Sequence, residues 1–361
     1  MLNFNPAGKK VILSIDGGGM RGTISIAMLA ELEAMTGKPC QQLFDMVAGT
    51  STGAIIAAAL GLGYTAQQTL ELVYLDRLPK AFPRGGLLTY IRYLFTGLRY
   101  LYPLEPFRVA LQPLSQGKRI RDMTHPIVFM TAKDVRVGDV YYIVSKGPGL
   151  KEFADWPLAG AVAASGAAPV YFPPVADNLI DGGVGTDSNP CLAATIEALE
   201  YIGVEDPDSG FVPGNVIHIS LGTGYVPNAR GQGAAARFRL WDWLSYVILE
   251  QLDDASLQQV YATRAIYSDR IDFRRYNPEL TRASVGEKLG VAVEGKPDPA
   301  KFGLDTYDPE SLALMEAIGR AYARKIDWKL PGQMPWNTVG GHAQPRLTKN
   351  SVDWSKTPYG L

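Results

Sequence analysis

The chain has 361 residues, of which 47% are apolar and 20% charged, with a formal net charge of −1. This is an ordinary globular balance with ample material for one large α/β domain or two smaller ones, and it offers no global electrostatic attraction to nucleic acid. Two cysteines, Cys40 and Cys191, make neither a disulfide framework nor a zinc site, so no metal and no cofactor is expected. No run reaches about 18 uncharged apolar residues. The opening Met1–Pro6 has no basic region followed by an apolar stretch, so a cytoplasmic protein is expected.

In chain order, Lys10–Ile15 is a short β-rich run that ends in Asp16-Gly17-Gly18-Gly19-Met20-Arg21-Gly22. A helical pattern follows, with Ile24, Met28, Leu29 and Leu32 on one face and a stop at Gly37. A glycine-rich loop thus joins a buried strand to a helix, and three readings compete. Gly17, Gly19 and Gly22 fit a dinucleotide loop, but the acidic residue this requires at the end of a second strand is missing. A P-loop is excluded, because no Gly-Lys-Ser/Thr closes the run. In the third reading, backbone N–H groups at a helix start face a developing negative charge as an oxyanion hole. This third reading fits best, because the next strand leads to a nucleophile.

That strand character lies in Leu43–Ala48, followed by Gly49-Thr50-Ser51-Thr52-Gly53 and then the Ala-rich helical run 54–60. A serine between two glycines on a strand-to-helix turn is a nucleophile elbow, G-x-S-x-G, which lifts the hydroxyl above the sheet edge over a helix N-terminus. Residues 54–79 read as two helices separated at Gly61-Leu62-Gly63. From Lys80 to Arg108, Phe82, Tyr90, Tyr93, Phe95, Tyr100, Tyr102 and Phe107 alternate with Lys80, Arg84, Arg92, Arg99 and Arg108. Such a mixture suits the interface of an anionic membrane, or it is a capping segment whose aromatics are core. On either reading it is an insertion, placed at 80–118, over the mouth of the elbow.

Two β-like runs, Pro126–Ala132 and Asp139–Val144, are joined by a hairpin connection at 133–138. Leu158–Ala168 is a small-residue helix, suited to close packing and halted by Pro169. Asn178-Leu179-Ile180-Asp181-Gly182-Gly183 puts a carboxylate at a strand end. Val216–Leu221 is a further buried strand, 238–260 a helix with an apolar stripe, and Asp308-Pro309 opens the last clear helix. The polar stretch 331–361 is expected to wrap the surface or be partly mobile.

A serine needs a neighbouring base. The three histidines are poorly placed: His125 precedes a strand, His218 lies inside one, and His342 is in the tail. Asp181, at a strand end and flanked by glycines, is the better candidate. A carboxylate acts as a base when it is shielded from water and touches the hydroxyl.

At Asp16–Gly22, Gly49–Gly53, Ala167–Pro173 and Asp181–Gly183, in this order and spacing, the chain resembles the patatin-like phospholipase family over about residues 10–225. The resemblance implies a three-layer α/β/α sandwich with a mostly parallel central sheet. It also implies a Ser51–Asp181 dyad and an oxyanion hole from the N–H groups of Gly17, Gly18 and Gly19. Arg21 would brace that hole or meet a phosphate, and Gly49, Gly53, Gly182 and Gly183 would support the turns. The implied activity is calcium-independent cleavage of acyl esters of phospholipids, lysophospholipids or neutral lipids through an acyl-serine. One domain over 1–330 is the economical reading. The expected partners are an acyl-ester lipid, a membrane surface met peripherally, with the inner one as a candidate, and further copies of the chain as a candidate homo-oligomer; nucleic acid is not expected. Three rivals stand: a nucleotide-dependent enzyme using Gly17–Gly22, a non-catalytic lipid-binding module, and a phospholipase gated by a ligand or an oligomer contact.

Overall fold

A computed structural model describes residues 1–82, 100–227 and 235–330, with two short strands at 338–339 and 342–343. The central sheet has seven strands: β1 (Lys10–Ile15), β2 (Met46–Gly49), β3 (Ile127–Asp134), β4 (Val140–Val144), β5 (Leu179–Asp181), β6 (Val216–Leu221) and β7 (Asp272–Tyr276). Their order is β4-β3-β2-β1-β6-β7, with β5 also paired to β3. The pairs β1–β2, β1–β6, β2–β3 and β6–β7 are parallel, whereas β4 and β5 run antiparallel to β3.

Alternation along the strands divides the interior into two cores. Val11, Leu13 and Ile15 of β1, with Val47, Val128, Met130, Ile217 and Ile219, face one core. Ile12, Met46, Ala48, Ile127, Phe129 and Val216 face the other. Helices cover both faces. The first is covered by α1 (Gly22–Thr36), α2 (Thr52–Gly61) and, further along the chain, Pro309–Lys325; the second by the helical stretch from Cys191 and by the end of Leu240–Tyr267. The expected three-layer α/β/α sandwich with a mostly parallel sheet is what the chain forms.

The register explains where the site sits. β2 occupies one edge of β3 only as far as Gly49, opposite Met130. Beyond it β5 takes over the same edge from the other direction, with Asp181 opposite Ala132. β4 holds the other edge of β3 across this changeover. Two strands therefore meet end to end in one lane, about two residues of β3 apart, or roughly 7 Å. The chain beyond Gly49 and the chain ending at Asp181 leave the sheet at the same point.

Some boundaries differ from the expected ones. The run 43–48 becomes strand only at Met46, because Leu43 and Phe44 close a 3-10 turn by donating to the Cys40 carbonyl. Asp45 then takes the Val11 N–H (2.9 Å) and the Lys10 ammonium (2.8 Å). The helix expected at 238–260 extends over Leu240–Tyr267. Helix α3 (66–81) opens on a Thr65 capping box and is π-helical over Leu70–Arg77. Asp308 caps the last helix by accepting the Ser311 N–H at 2.9 Å.

In the aromatic-basic segment, Phe82, Tyr102 and Phe107 are buried with Phe172 and Tyr307. Phe107 belongs to helix α4 (Leu104–Ser115). These three rings are core, whereas Tyr100 is half-buried and forms an isolated bridge with Val170. Lys80 and Arg108 are exposed and paired with Asp76 and Glu105. Arg84, Tyr90, Arg92, Tyr93, Phe95 and Arg99, which carried the membrane reading, lie outside the described residues, as does nearly all of the tail from 331.

Candidate active site

The elbow follows directly from its two glycines. A side chain at Gly49 would run into the backbone of Gly53, and one at Gly53 into the carbonyl of Ile15. With both absent, the chain turns within three residues from β2 into α2. Ser51, the N-cap of α2, is held at φ 56°, ψ −120°, a conformation that non-glycine residues rarely adopt. The surroundings hold it there. The Ser51 N–H donates to Ser165 Oγ at 3.0 Å. Next to it, the Thr50 hydroxyl donates to the Asp187 carbonyl at 2.6 Å and accepts from Thr131 at 2.7 Å.

Asp181 closes β5. Its N–H donates to the Ala167 carbonyl at 3.1 Å, and its Oδ1 accepts the Gly183 N–H at 2.8 Å. Asp181 is only 5% exposed, and it lines the same cavity as Ser51. Burial pushes its carboxyl up to about 6, against the pull of the nearby Ser51 side chain and the Gly183 N–H, which favour the charged form. Gly182 is tight against Thr131, where any side chain would collide.

The glycine loop runs alongside. Gly17 is fully engaged: its N–H donates to the Ser188 carbonyl at 2.8 Å and its own carbonyl accepts from Thr223 Oγ1 at 3.0 Å. Of the three amides expected in an oxyanion hole, that one is therefore taken. Gly18 and Gly19 N–H have no acceptor among the described residues. Gly19 is left-handed at φ 56° and abuts the Leu304 carbonyl, which also accepts the Met20 N–H at 2.8 Å. Arg21 lines the same cavity.

Asp16, which opens the loop, carries contacts that sequence reasoning missed. Arg275 of β7 grips it with two bonds, NH1 to Oδ1 at 2.7 Å and NH2 to Oδ2 at 2.5 Å, and Ser256 donates to Oδ2 at 2.7 Å. Arg275 also reaches Ser220 Oγ at 3.0 Å. The pair is almost fully buried. The one available signal was Arg274-Arg275 inside a strand flanked by Phe273 and Tyr276: a charge in such a run needs a buried partner.

Ser51, Asp181 and the glycine loop open onto a cavity of about 690 Å³ whose apolar wall includes Ile55, Leu78, Phe82, Phe107 and Phe172. Among the described side chains, no histidine joins them. Both nitrogens of the fully buried His218 are occupied by hydroxyls, Thr195 at 2.8 Å and Ser14 at 2.9 Å, and burial lowers its pKa to about 3. His125 contacts the Gln41 carbonyl at 2.9 Å. His342 falls in a short strand whose side chains are outside the described residues.

The fold and site define an α/β protein with an elbow-borne serine against a buried carboxylate. A family model for patatin-like phospholipases matches residues 13–195, and the chain belongs to that family. It is 30% identical over 310 residues to Patatin-like protein 2 of Arabidopsis thaliana, covering 73% of this chain and 70% of that protein. Patatin-like protein 1 from the same plant is 29% identical over 279 residues, 64% of each chain. The cUMP-AMP-activated phospholipase of Escherichia coli is 46% identical over 69 residues, 19% of this chain and 21% of that protein. The matches thus span just under two thirds of Patatin-like protein 1 and about a fifth of the bacterial phospholipase.

Proposed function

We propose that the chain is a calcium-independent lipid acyl hydrolase that cleaves fatty-acyl esters of phospholipids or lysophospholipids. The observation that carries this reading is that the elbow-borne Ser51 and the buried Asp181 line the same apolar-walled cavity. Asp181 takes the proton as Ser51 Oγ attacks the ester carbonyl. The oxyanion then faces the amides of Gly18 and Gly19, and the lysolipid or alcohol departs with the proton. Water, deprotonated by the same carboxylate, attacks the acyl-serine and releases the fatty acid. The acyl chain lies along Phe82, Phe107 and Phe172 while this happens. The test is fatty-acid release from mixed phospholipid vesicles with a calcium chelator present. Wild type should release acid and Ser51→Ala none; equal release by both would sink the assignment.

A second reading adds a gate. The Leu304 carbonyl touches the glycine loop, and Tyr102 of the cap donates to Asp305 at 2.8 Å, so one strap joins cap to loop. An E. coli relative is described as activated by cUMP-AMP. On this reading wild type reacts with a fluorophosphonate at Ser51 yet turns over lipid only once a trigger is added. Absence of labelling would instead favour a non-catalytic lipid-binding module.

A further inference from the structure

The small-residue helix α5 (Leu158–Ser165) looked from its sequence like packing material, yet its last turn touches both members of the dyad. Ser165 is completely buried, and its Oγ accepts the Ser51 N–H at 3.0 Å. Two residues on, the Ala167 carbonyl accepts the Asp181 N–H at 3.1 Å. Three consecutive residues, Ser165-Gly166-Ala167, therefore bridge the nucleophile's backbone to the base's backbone. No other short segment of the described residues does so.

This bridge meets a specific need. Ser51 sits in a rarely populated backbone conformation, and its part-buried N–H has no helical partner. Left unpaired, that amide would carry the desolvation cost of a buried donor, and the elbow could relieve it by rotating. Such a rotation would swing the hydroxyl away from Asp181. Asp181, in turn, belongs to a strand of only three residues, which fixes its position weakly.

We infer that Ser165 is a positioning residue: its hydroxyl fixes the Ser51 backbone, and the turn it ends holds Asp181 at the distance the dyad needs. This inference rests on Ser51 and Asp181 acting as proposed above. Ser165 does not touch substrate and exchanges no proton with it.

A matched control exists within the same molecule. Ser145 Oγ accepts the buried Val128 N–H at 2.9 Å, on β3 four residues before Ala132, which pairs with Asp181. Ser165→Ala and Ser145→Ala each leave one backbone amide without its side-chain acceptor. With a soluble p-nitrophenyl ester, Ser165→Ala should lower kcat on the order of 10- to 100-fold at unchanged KM, because a small misplacement of reacting groups carries that penalty. Ser145→Ala should leave kcat near wild type, and Ser165→Thr, which keeps the acceptor, should recover part of the loss. Equal kcat in the two alanine variants, with similar melting temperatures, would overturn the inference. Hydrogen exchange read on the peptide covering 50–56, which excludes β2, tests the contact without relying on turnover: Ser165→Ala should speed it and Ser145→Ala should not, and unchanged exchange would also overturn the inference. If turnover survives Ser51→Ala while Ser165→Ala still speeds exchange, the proposed dyad fails and the backbone contact stands.

Discussion

Burial raises the Asp181 carboxyl from its ordinary value of 3.8 to about 6, and this has two measurable consequences of opposite benefit. For turnover, the base must be ionised, so kcat/KM should climb with pH through a midpoint near 6 and level off above it. A profile flat from pH 5 to 8 would argue against Asp181 as the base. For stability, the folded chain holds this proton more tightly than the unfolded chain. The native state is therefore favoured most below about pH 4, and the advantage is lost as pH rises through 6, a change of roughly 3 kcal/mol. Asp181→Asn, which carries no such charge, should abolish ester turnover yet melt higher than wild type at pH 8, with the gap closing towards pH 4. Scanning calorimetry at the two pH values decides this. Ser51 and Asp181, the pair proposed as the dyad, stood out in the sequence because each sits in its own local pattern, Gly-x-Ser-x-Gly and Asp-Gly-Gly. Ser165 and Arg275 did not, because their partners lie 114 and 259 residues away and no local pattern encodes such a pairing.

Among the elements, the strands that flank the site were readable from their β-branched and apolar runs, whereas their meeting was not. That β5 continues the lane vacated by β2 depends on register, and register is set by which faces are buried across the whole sheet. The Arg275–Asp16 pair ties β7 to the end of β1 in the same long-range way. Arg275→Met should destabilise the protein by about 3–5 kcal/mol, because it strands a buried carboxylate, and adding Asp16→Asn should recover part of that; urea unfolding of the single and double variants tests both. Gly166 packs against the cap: a Cβ there would lie 2.8 Å from Cζ of Phe107, itself stacked on Phe172 with ring centres 4.9 Å apart. Gly166→Ala should therefore cost about 1–3 kcal/mol of stability, seen as a lowered melting temperature, although the glycine's own backbone angles suit alanine. A melt unchanged within error would mean that the aromatic cluster yields more easily than its packing implies.

At the scale of the molecule, two cores back a single sheet, and the cavity lies at the end where β1 and β2 give way to loops, as in other open α/β sheets. The glycine loop, the cap and the strap at Leu304–Tyr307 converge on it. No helix among the described residues is long and apolar enough to cross a membrane. Of the four described aromatics of the cap, Phe82, Tyr102 and Phe107 are buried and Tyr100 is half-buried.

The lane shared by β2 and β5 also orders events during synthesis. Ser51 leaves the ribosome about 130 residues before Asp181, and the arginine that clamps the first residue of the glycine loop comes later still, at position 275. On the dyad reading, a chain that ends before Asp181 carries an unactivated serine, because the base is missing, although β3, the strand that will seat it, is already made. Esterolysis then has to wait until synthesis has passed β5, 130 residues after the nucleophile.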